Sequence, residues 1–327
     1  LAAWLQSSVC NFQPGLGAFQ FNACFACKGL AHMNDFLPQL IQQLFNGLSL
    51  GAIYALIAIG YTMVYGILRL INFAHGDVFM VAGLLGIYIS AALPIYAAIP
   101  VVIILTVALG FFIERAAYKP LRNAPRMSVM ISAIGVSYLL QNLVCYVTGG
   151  LAKQFPDIPL ISQSVRVFGV KDKLAVFISP LVAVVLMVIL VLIINHTKFG
   201  MSMRAVSKDF ETAQLMGVKI NRVISMTFII GSFLAAVGAL LYFAKNTGIN
   251  HMAGSTPGIK AFIAAVVGGI GSVPGAVVGA LLIGVVESLA KAFGLADFSD
   301  VISFALLIII LVIKPTGLFG EKTTEKV

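Results

Sequence analysis

The stretch LAVFISPLVAVVLMVILVLIIN, residues 174–195, contains no charged residue. An α-helix needs about 20 apolar residues to cross the hydrocarbon core of a bilayer, so this stretch predicts a transmembrane helix. The whole chain has the same character, because 60% of its 327 residues are hydrophobic and only 10% are charged. A soluble domain carries about 25% charged residues. The composition therefore argues against a soluble enzyme, a nucleic-acid-binding domain and a disordered protein, and it predicts a polytopic membrane protein.

Apolar runs of this kind follow one another along the chain. There are eight, at roughly residues 47–68, 78–93, 96–113, 128–148, 174–195, 223–244, 261–286 and 301–313, judged against the length of a span. The seventh run is interrupted by glycines between Gly268 and Gly275. We therefore expect an all-α transmembrane bundle with about eight or nine spans.

Basic residues predict the side of the membrane on which each loop lies. One set of alternate loops holds twelve Lys and Arg residues, and the other set holds seven. The first set is 114–126, 196–222 and the tail 314–327; the second is 149–173, 245–260 and 287–300. Cytoplasmic loops carry the excess of positive charge, so we place the first set in the cytoplasm. The run 261–286 must then enter the membrane and return, which its glycines permit.

The first 32 residues differ from the rest of the chain. The first residue is Leu1, the first methionine is Met33, and Lys28 is the one charged residue before it. The segment lacks the basic and apolar regions of a signal peptide. We expect residues 1–32 to be a non-native leader upstream of the working protein and residues 33–327 to form the transmembrane domain. A disordered leader that the cell does make is the alternative.

Motifs for enzyme chemistry are missing from the sequence. Cys24 and Cys27 form a CxxC pair, but no second pair or histidine cluster completes a zinc site. The glycine-rich stretches 254–260 and 268–272 lack the GK[ST] ending of a phosphate-binding loop, and no HExxH occurs. We predict no catalytic residue, no metal and no cofactor. Energy for uphill transport would come from an ion gradient or from a separate ATPase.

The segment between the fifth and sixth runs has a different pattern. Residues Met203 to Met216 predict one short amphipathic helix, which ends before Gly217, a residue suited to a left-handed C-cap. Its polar positions carry both signs of charge. A helix on a lipid surface is more often uniformly basic, so the pattern favours docking to a partner protein over membrane binding.

Four motifs resemble the branched-chain amino acid permease family of ABC importers, most closely permeases of the leucine/isoleucine/valine type. They are YALIAIGYTMVYG (54–66), INFAHGD (71–77), GGIGSVPG (268–275) and ETAQLMG (211–217). The last is similar to the Glu-Ala-Ala-x-x-x-Gly loop of these permeases, with Thr212 in place of the first Ala. The resemblance extends from about Leu44 to Gly320.

The resemblance implies a permease subunit that imports leucine, isoleucine and valine across the bacterial inner membrane. It also implies four kinds of partner: a second permease subunit, two cytoplasmic ATPase subunits, a periplasmic binding protein and the membrane. Permeases for urea or short amides share these motifs and stay open as an alternative. An ion-coupled secondary amino acid carrier and an integral membrane enzyme are the rivals from other classes.

Two groups of residues are the candidate sites. The resemblance makes 203–217 a cytoplasmic coupling helix, in which Ala213 lies buried in a groove of an ATPase subunit. The ATPase-coupling residues are Arg204, Asp209, Glu211, Ala213 and Gly217. The polar cluster Asn72, His75 and Asp77 lies between two apolar runs, and a carboxylate at that depth costs about 2.5–3.5 kcal/mol unless it faces protein or water. This cluster either hydrogen-bonds neighbouring helices or lies at the interface, or it shapes the translocation pathway or its gate, and both interpretations stay open.

The outer loop 149–173 is a third candidate, for docking the binding protein. It is the longest outer connection, and Arg166 and Lys171 are among its charged residues. Long ordered loops are often functional, although an ordinary solvated loop is equally consistent with this composition.

Overall fold

A computed structural model of the chain describes the backbone of residues 19–122, 124–159, 161–167 and 170–320. The described residues form eleven α-helices: α1 (Phe19–Leu68), α2 (His75–Ala92), α3 (Ile95–Ile113), α4 (Arg126–Thr148), α5 (Leu174–His196), α6 (Lys198–Lys208), α7 (Phe210–Leu215), α8 (Ile220–Lys245), α9 (Ser255–Gly268), α10 (Val273–Ala292) and α11 (Ser299–Ile313). A π-helix, Glu114–Tyr118, continues α3, and a 3-10 turn, Ala296–Phe298, precedes α11.

Strands are few and short. They are β1 (Lys153–Gln154), β2 (Ser164–Val167), β3 (Val170–Lys173) and β4 (Gly248–Ile249). β1 pairs with β4 and β2 pairs with β3, both antiparallel. The fold is therefore all-α, as predicted.

Eight helices in the described part of the chain are long and apolar enough to cross a membrane. They are Gln39–Leu68, His75–Ala92, Ile95–Tyr118, Met127–Thr148, Leu174–His196, Ile220–Lys245, Val273–Ala292 and Ala296–Ile313. The number agrees with the predicted eight or nine spans. The division of the chain at Met33 stays a prediction, because residues 1–18 lie outside the described residues and α1 begins at Phe19.

The run 261–286 is a pair of helices and not one span. α9 ends at Gly268 and α10 begins at Val273, and the turn between them contains Gly269 and Gly271 with φ of +107° and +100°. Only glycine adopts such angles readily, which explains why the run breaks there. α9 has 14 residues and is about 21 Å long, too short to span a bilayer.

Loops of the two predicted sides gather at opposite ends of the bundle. At one end, Ser225 donates a hydrogen bond to Glu114 at 2.8 Å, and the Leu318 N–H donates to the carbonyl of Val267 at 2.9 Å. At the other end, β1 pairs with β4, and Lys245 donates to Asn46 at 2.6 Å. The loops are thus grouped as expected, while the assignment of one end to the cytoplasm stays a prediction.

α1 is the central helix of the bundle. Of its apolar span, 83% is buried inside the protein, against 11% for the last span. Glycines allow α10 to approach it closely, since a Cβ on Gly284 would lie 2.3 Å from the backbone nitrogen of Gly51. In a lipid environment the hydrophobic effect does not bring helices together, so helix association relies on close packing. Small residues such as these allow the backbones to pack directly against each other.

Candidate functional site

The predicted coupling helix is two helices, so the expectation of a single helix over Met203–Met216 was wrong. α6 ends at Lys208 and α7 begins at Phe210, and Asp209 between them has an extended backbone with φ −149° and ψ 113°. The Asp209 carboxylate accepts hydrogen bonds from the N–H groups of Glu211 and Thr212, at 3.0 and 3.1 Å, and from the Thr212 hydroxyl. An aspartate that caps a new helix in this way ends the preceding one.

These contacts also affect the charge of Asp209. The Thr212 hydroxyl, followed by the N–H groups of Thr212 and Glu211, lowers the pKa of the Asp209 carboxyl below its ordinary value. All three donors stabilise the ionised form. Asp209 is therefore an N-cap held in the charged state.

Gly217 ends α7 as the sequence predicts. Its φ is +83°, its N–H donates to the carbonyl of Gln214, and the N–H of Val218 donates to the carbonyl of Ala213. These two bonds form a Schellman motif, which fixes the direction in which the chain leaves the helix. The chain then enters α8 after two residues.

The residues at the end of α7 differ sharply in exposure. Ala213 is buried within this subunit, with 4% of its surface exposed, whereas Leu215 and Met216 are 87% and 80% exposed. Arg204 donates to the carbonyl of Ile194 and so contacts the end of α5. The exposed apolar surface at the end of α7 therefore comes mainly from Leu215 and Met216.

A second polar group connects the coupling segment to the bundle, and the sequence analysis missed it. Glu114 is fully buried in the π-helix, forms an ion pair with Arg122, and accepts a hydrogen bond from Ser225 at 2.8 Å. Arg122 also donates to Asn221 at the start of α8. The available sequence signal was a glutamate close to an arginine in the same loop. Their pairing with α8 could not be seen, because it joins residues about 100 positions apart in the chain.

The predicted cluster Asn72, His75 and Asp77 lies where α2 begins, but its three side chains do not converge on one point. Asn72 accepts a hydrogen bond from the Tyr118 hydroxyl at 2.7 Å. The His75 ring contacts Tyr61 edge to face, with centroids 5.0 Å apart, and its Nε2 has no hydrogen-bond partner among the described residues. Each residue thus faces a different neighbouring element.

Asp77 faces α4. Its Oδ1 accepts a hydrogen bond from the Gln141 amide at 3.0 Å, and its Oδ2 accepts one from the Ser137 hydroxyl. Asp77 is 2% exposed, and Ser137 and Gln141 are half-buried. The carboxylate faces protein, as expected, and not lipid.

Both α2 and α9 begin inside the bundle. His75 packs against Gly60, which lies eight residues before the end of α1, or about 12 Å along the helix. A Cβ on Gly76 would lie 2.8 Å from the carbonyl oxygen of Gly254 and 3.1 Å from Cα of Gly258, so the first turns of the two helices touch. Non-helical backbone at membrane depth is tolerated where protein surrounds it or where it lines a cavity.

A buried ionic cluster joins α9, α10 and α11, and it too was missed. Lys260 lies 2.9 Å from Glu287 and 2.7 Å from Asp300, and Lys291 lies 2.8 Å from Glu287. The Tyr54 hydroxyl donates to the second Glu287 oxygen at 3.1 Å. A lysine within an otherwise apolar helix was the sequence signal. Among the described residues, no three His, Cys, Asp or Glu side chains are grouped to hold a metal ion.

A central helix enclosed by other spans, two helices that begin inside the bundle and a helical segment exposed at one end are the features of a multi-pass membrane protein. The family described as the permease component of branched-chain amino acid transport systems matches residues 43–311. The chain therefore belongs to this family, and it is a transporter subunit and not an enzyme.

Similar proteins include three bacterial permeases. The chain is 40% identical over 311 residues to the "High-affinity branched-chain amino acid transport system permease protein LivH" of Salmonella typhimurium, covering 90% of this chain and 100% of that protein. LivH of Escherichia coli K12 is equally similar over the same shares of the two chains. BraD of Pseudomonas aeruginosa, which carries the same description, is 43% identical over 304 residues, covering 88% of this chain and 98% of that protein.

Proposed function

We propose that this chain is the permease subunit of an ATP-driven importer that carries leucine, isoleucine and valine across the bacterial inner membrane by alternating access. The observation that carries the proposal is the similarity over 100% of the length of relatives named as high-affinity branched-chain amino acid permeases. The assembled importer also contains a second permease subunit, two cytoplasmic ATPase subunits and a periplasmic binding protein.

The α6–α7 segment is the surface that we assign to an ATPase subunit. Leu215 and Met216 project from it and are more than three-quarters exposed, at the end of the bundle that carries the basic loops. Apolar side chains that protrude beside charges of both signs suit a protein groove better than a lipid surface.

Movement of this segment reaches the bundle through two contacts. Arg69, which follows α1, donates to the carbonyl of Ser207 in α6 at 3.0 Å. Arg122 and Glu114 hold the start of α8 to the π-helix. The π-helix in turn reaches Asn72 through Tyr118, so these contacts extend from the coupling segment towards the beginning of α2.

The translocation pathway, in this proposal, passes the place where α2 and α9 begin. Asn72, His75 and Asp77 supply polar groups there. Selectivity among amino acids rests with the binding protein, so no tight substrate pocket is required in this subunit.

The test of the proposed function is reconstitution. The chain is co-expressed with the second permease and the ATPases encoded beside it, and the complex is placed in proteoliposomes with the binding protein. We expect uptake of labelled leucine that requires ATP and that unlabelled isoleucine and valine inhibit. Inhibition by urea or short amides alone would favour the alternative substrate class, and uptake driven by an ion gradient without ATP would contradict the proposal.

The docking surface has its own test. Met216→Asp places a charge in the proposed contact, and a contact residue that is lost costs about 2 kcal/mol, which weakens ATPase binding about thirtyfold. Leu151→Asp is the matched control, because Leu151 is 68% exposed at the opposite end of the bundle. Equal co-purification of the ATPase with both variants would contradict the assignment of α7.

A further inference from the structure

Three carboxylates are buried in the described part of the chain, and one of them differs from the other two. Glu114 is paired with Arg122, and Glu287 is paired with Lys260 and Lys291. Asp77 is just as buried, but it forms no ion pair with any described lysine, arginine or histidine. A buried charge without a counter-ion is costly, so an unpaired carboxylate in a membrane segment points to function.

The groups that hold Asp77 are neutral and favour its ionised form. Ser137 and Gln141 each donate one hydrogen bond to it, and Asp77 lies in the first turn of α2, where the helix dipole stabilises negative charge. An ionised carboxylate has about four lone-pair positions, and these donors occupy two of them. The site therefore retains acceptor capacity for a cationic donor.

The location of Asp77 determines how a cation could reach it. Asp77 is one residue from Gly76, where the first turns of α2 and α9 touch, and it is covered by the half-buried side chains of Ser137 and Gln141. Only one layer of side chains thus separates the carboxylate from the surface of this subunit. A rearrangement of α2 against α4 would expose it to a ligand in the pathway.

We propose that the Asp77 carboxylate, held by Ser137 and Gln141, is a transient binding site for the α-ammonium group of the amino acid in transit. This inference rests on the proposed function and names the substrate group that the site takes. Leucine, isoleucine and valine share that group, so the site does not discriminate among them. An ammonium group carries three donors and would supply the cation that Asp77 lacks.

The decisive variant is Asp77→Asn, which keeps the size of the side chain and one acceptor oxygen but removes the charge. It is assayed in the complete complex in proteoliposomes, with binding protein and ATP. We expect normal assembly, an unchanged concentration of binding protein for half-maximal ATPase activity, and an initial rate of leucine uptake lower by about tenfold to a hundredfold, the usual effect of a lost charged hydrogen bond.

Asp77→Glu is the companion variant, because it restores the charge on a longer side chain. We expect it to recover part of the uptake that Asp77→Asn loses. A residue that only fastens α2 to α4 would give the opposite order, since asparagine preserves that packing better than glutamate does.

Three outcomes would overturn the site. Wild-type uptake by Asp77→Asn would mean that the carboxylate acts as a neutral acid or only as a helix contact. Failure of Asp77→Asn to assemble would mean that the charge is needed for folding or that it pairs with a cation on another subunit. Equal loss in both variants would exclude a role for the charge. Absence of leucine uptake by the wild-type complex is a different result and would contradict the proposed function itself.

Discussion

Removal of Lys260 is the sharpest test of the packing between the half-length helix α9 and the rest of the bundle. The lysine is 5% exposed and bridges Glu287, which is 4% exposed, and Asp300, which is 57% exposed. Lys260→Met replaces the ammonium group with an apolar end of similar length. It leaves Glu287 buried with Lys291 and the Tyr54 hydroxyl as its remaining partners.

The expected loss in the free energy of unfolding follows from the burial of each partner. Loss of one member of a buried ion pair costs about 3–5 kcal/mol, because the other charge stays buried. Lys291 still neutralises part of the Glu287 charge but is 44% exposed, so we expect a loss of about 3 kcal/mol for Lys260→Met. For Glu287→Gln we expect about 2 kcal/mol, because Lys260 keeps the solvated Asp300 and the amide can still accept from Tyr54.

The double variant separates the ion pair from simple damage to the core. With both charges removed, no buried charge is left unpaired, and we expect a total loss of only about 1–2 kcal/mol. The two single changes would sum to about 5 kcal/mol, so the coupling between Lys260 and Glu287 is about 3–4 kcal/mol.

The measurement is the free energy of unfolding of the four proteins by reversible denaturant titration in detergent micelles. Each protein is compared with the wild type at the same pH and ionic strength. A loss below about 0.5 kcal/mol for Lys260→Met, the size of an ordinary surface change, would refute the reasoning. So would losses in the double variant that equal the sum of the single losses, since separate sites are additive.

Three further predictions follow from the structure. Gly284→Ala places a methyl group against the backbone of α1, so we expect a loss of about 1–3 kcal/mol in the same unfolding titration, whereas Gly66→Ala, with open space around it, should be neutral or slightly stabilising. The lowered pKa of Asp209 means that its stabilisation of α7 is present above about pH 3.9 and is lost as the pH falls through the folded-state pKa. The protection of the α7 amides, corrected for the intrinsic exchange rate at each pH, should therefore fall on acidification in the wild type but not in Asp209→Asn. Charge reversal at Arg166 and Lys171 together should raise the concentration of binding protein needed for half-maximal uptake, and no change would favour an ordinary solvated loop for 149–173.

Local features of the fold were predictable because each depends on a short stretch of chain. A helix in lipid must satisfy its own backbone hydrogen bonds, so hydropathy alone located seven of the eight membrane-length helices in the described part of the chain, while the run 261–286 covers parts of α9 and α10. The break at Gly269–Gly271 and the left-handed Gly217 were also visible, since glycine is the residue that adopts positive φ without strain. Asp209 also indicated a helix break, because Asp is a preferred N-cap residue. The apolar periodicity on both sides of it nevertheless led to the prediction of one continuous helix.

Side-chain partners were decided by the tertiary structure. Tyr54 and Glu287 are 233 residues apart in the chain, and Asp77 and Ser137 are 60 apart, so no local pattern states that they meet. Asn72 and His75 are close neighbours in sequence, yet they face different elements because α2 begins inside the bundle.

The sequence by itself therefore determined three things. It showed that this is an all-α membrane permease, it showed which segments are long enough to span a bilayer, and it showed which loops lie together. Only the tertiary structure decided that Ala213 faces its own subunit while Leu215 and Met216 protrude, and that Glu114 and Glu287 have cationic partners while Asp77 has none among the described residues. The physical reason is that hydropathy and backbone preference act within one helix. The neutralisation of a buried charge depends instead on which helices pack against it.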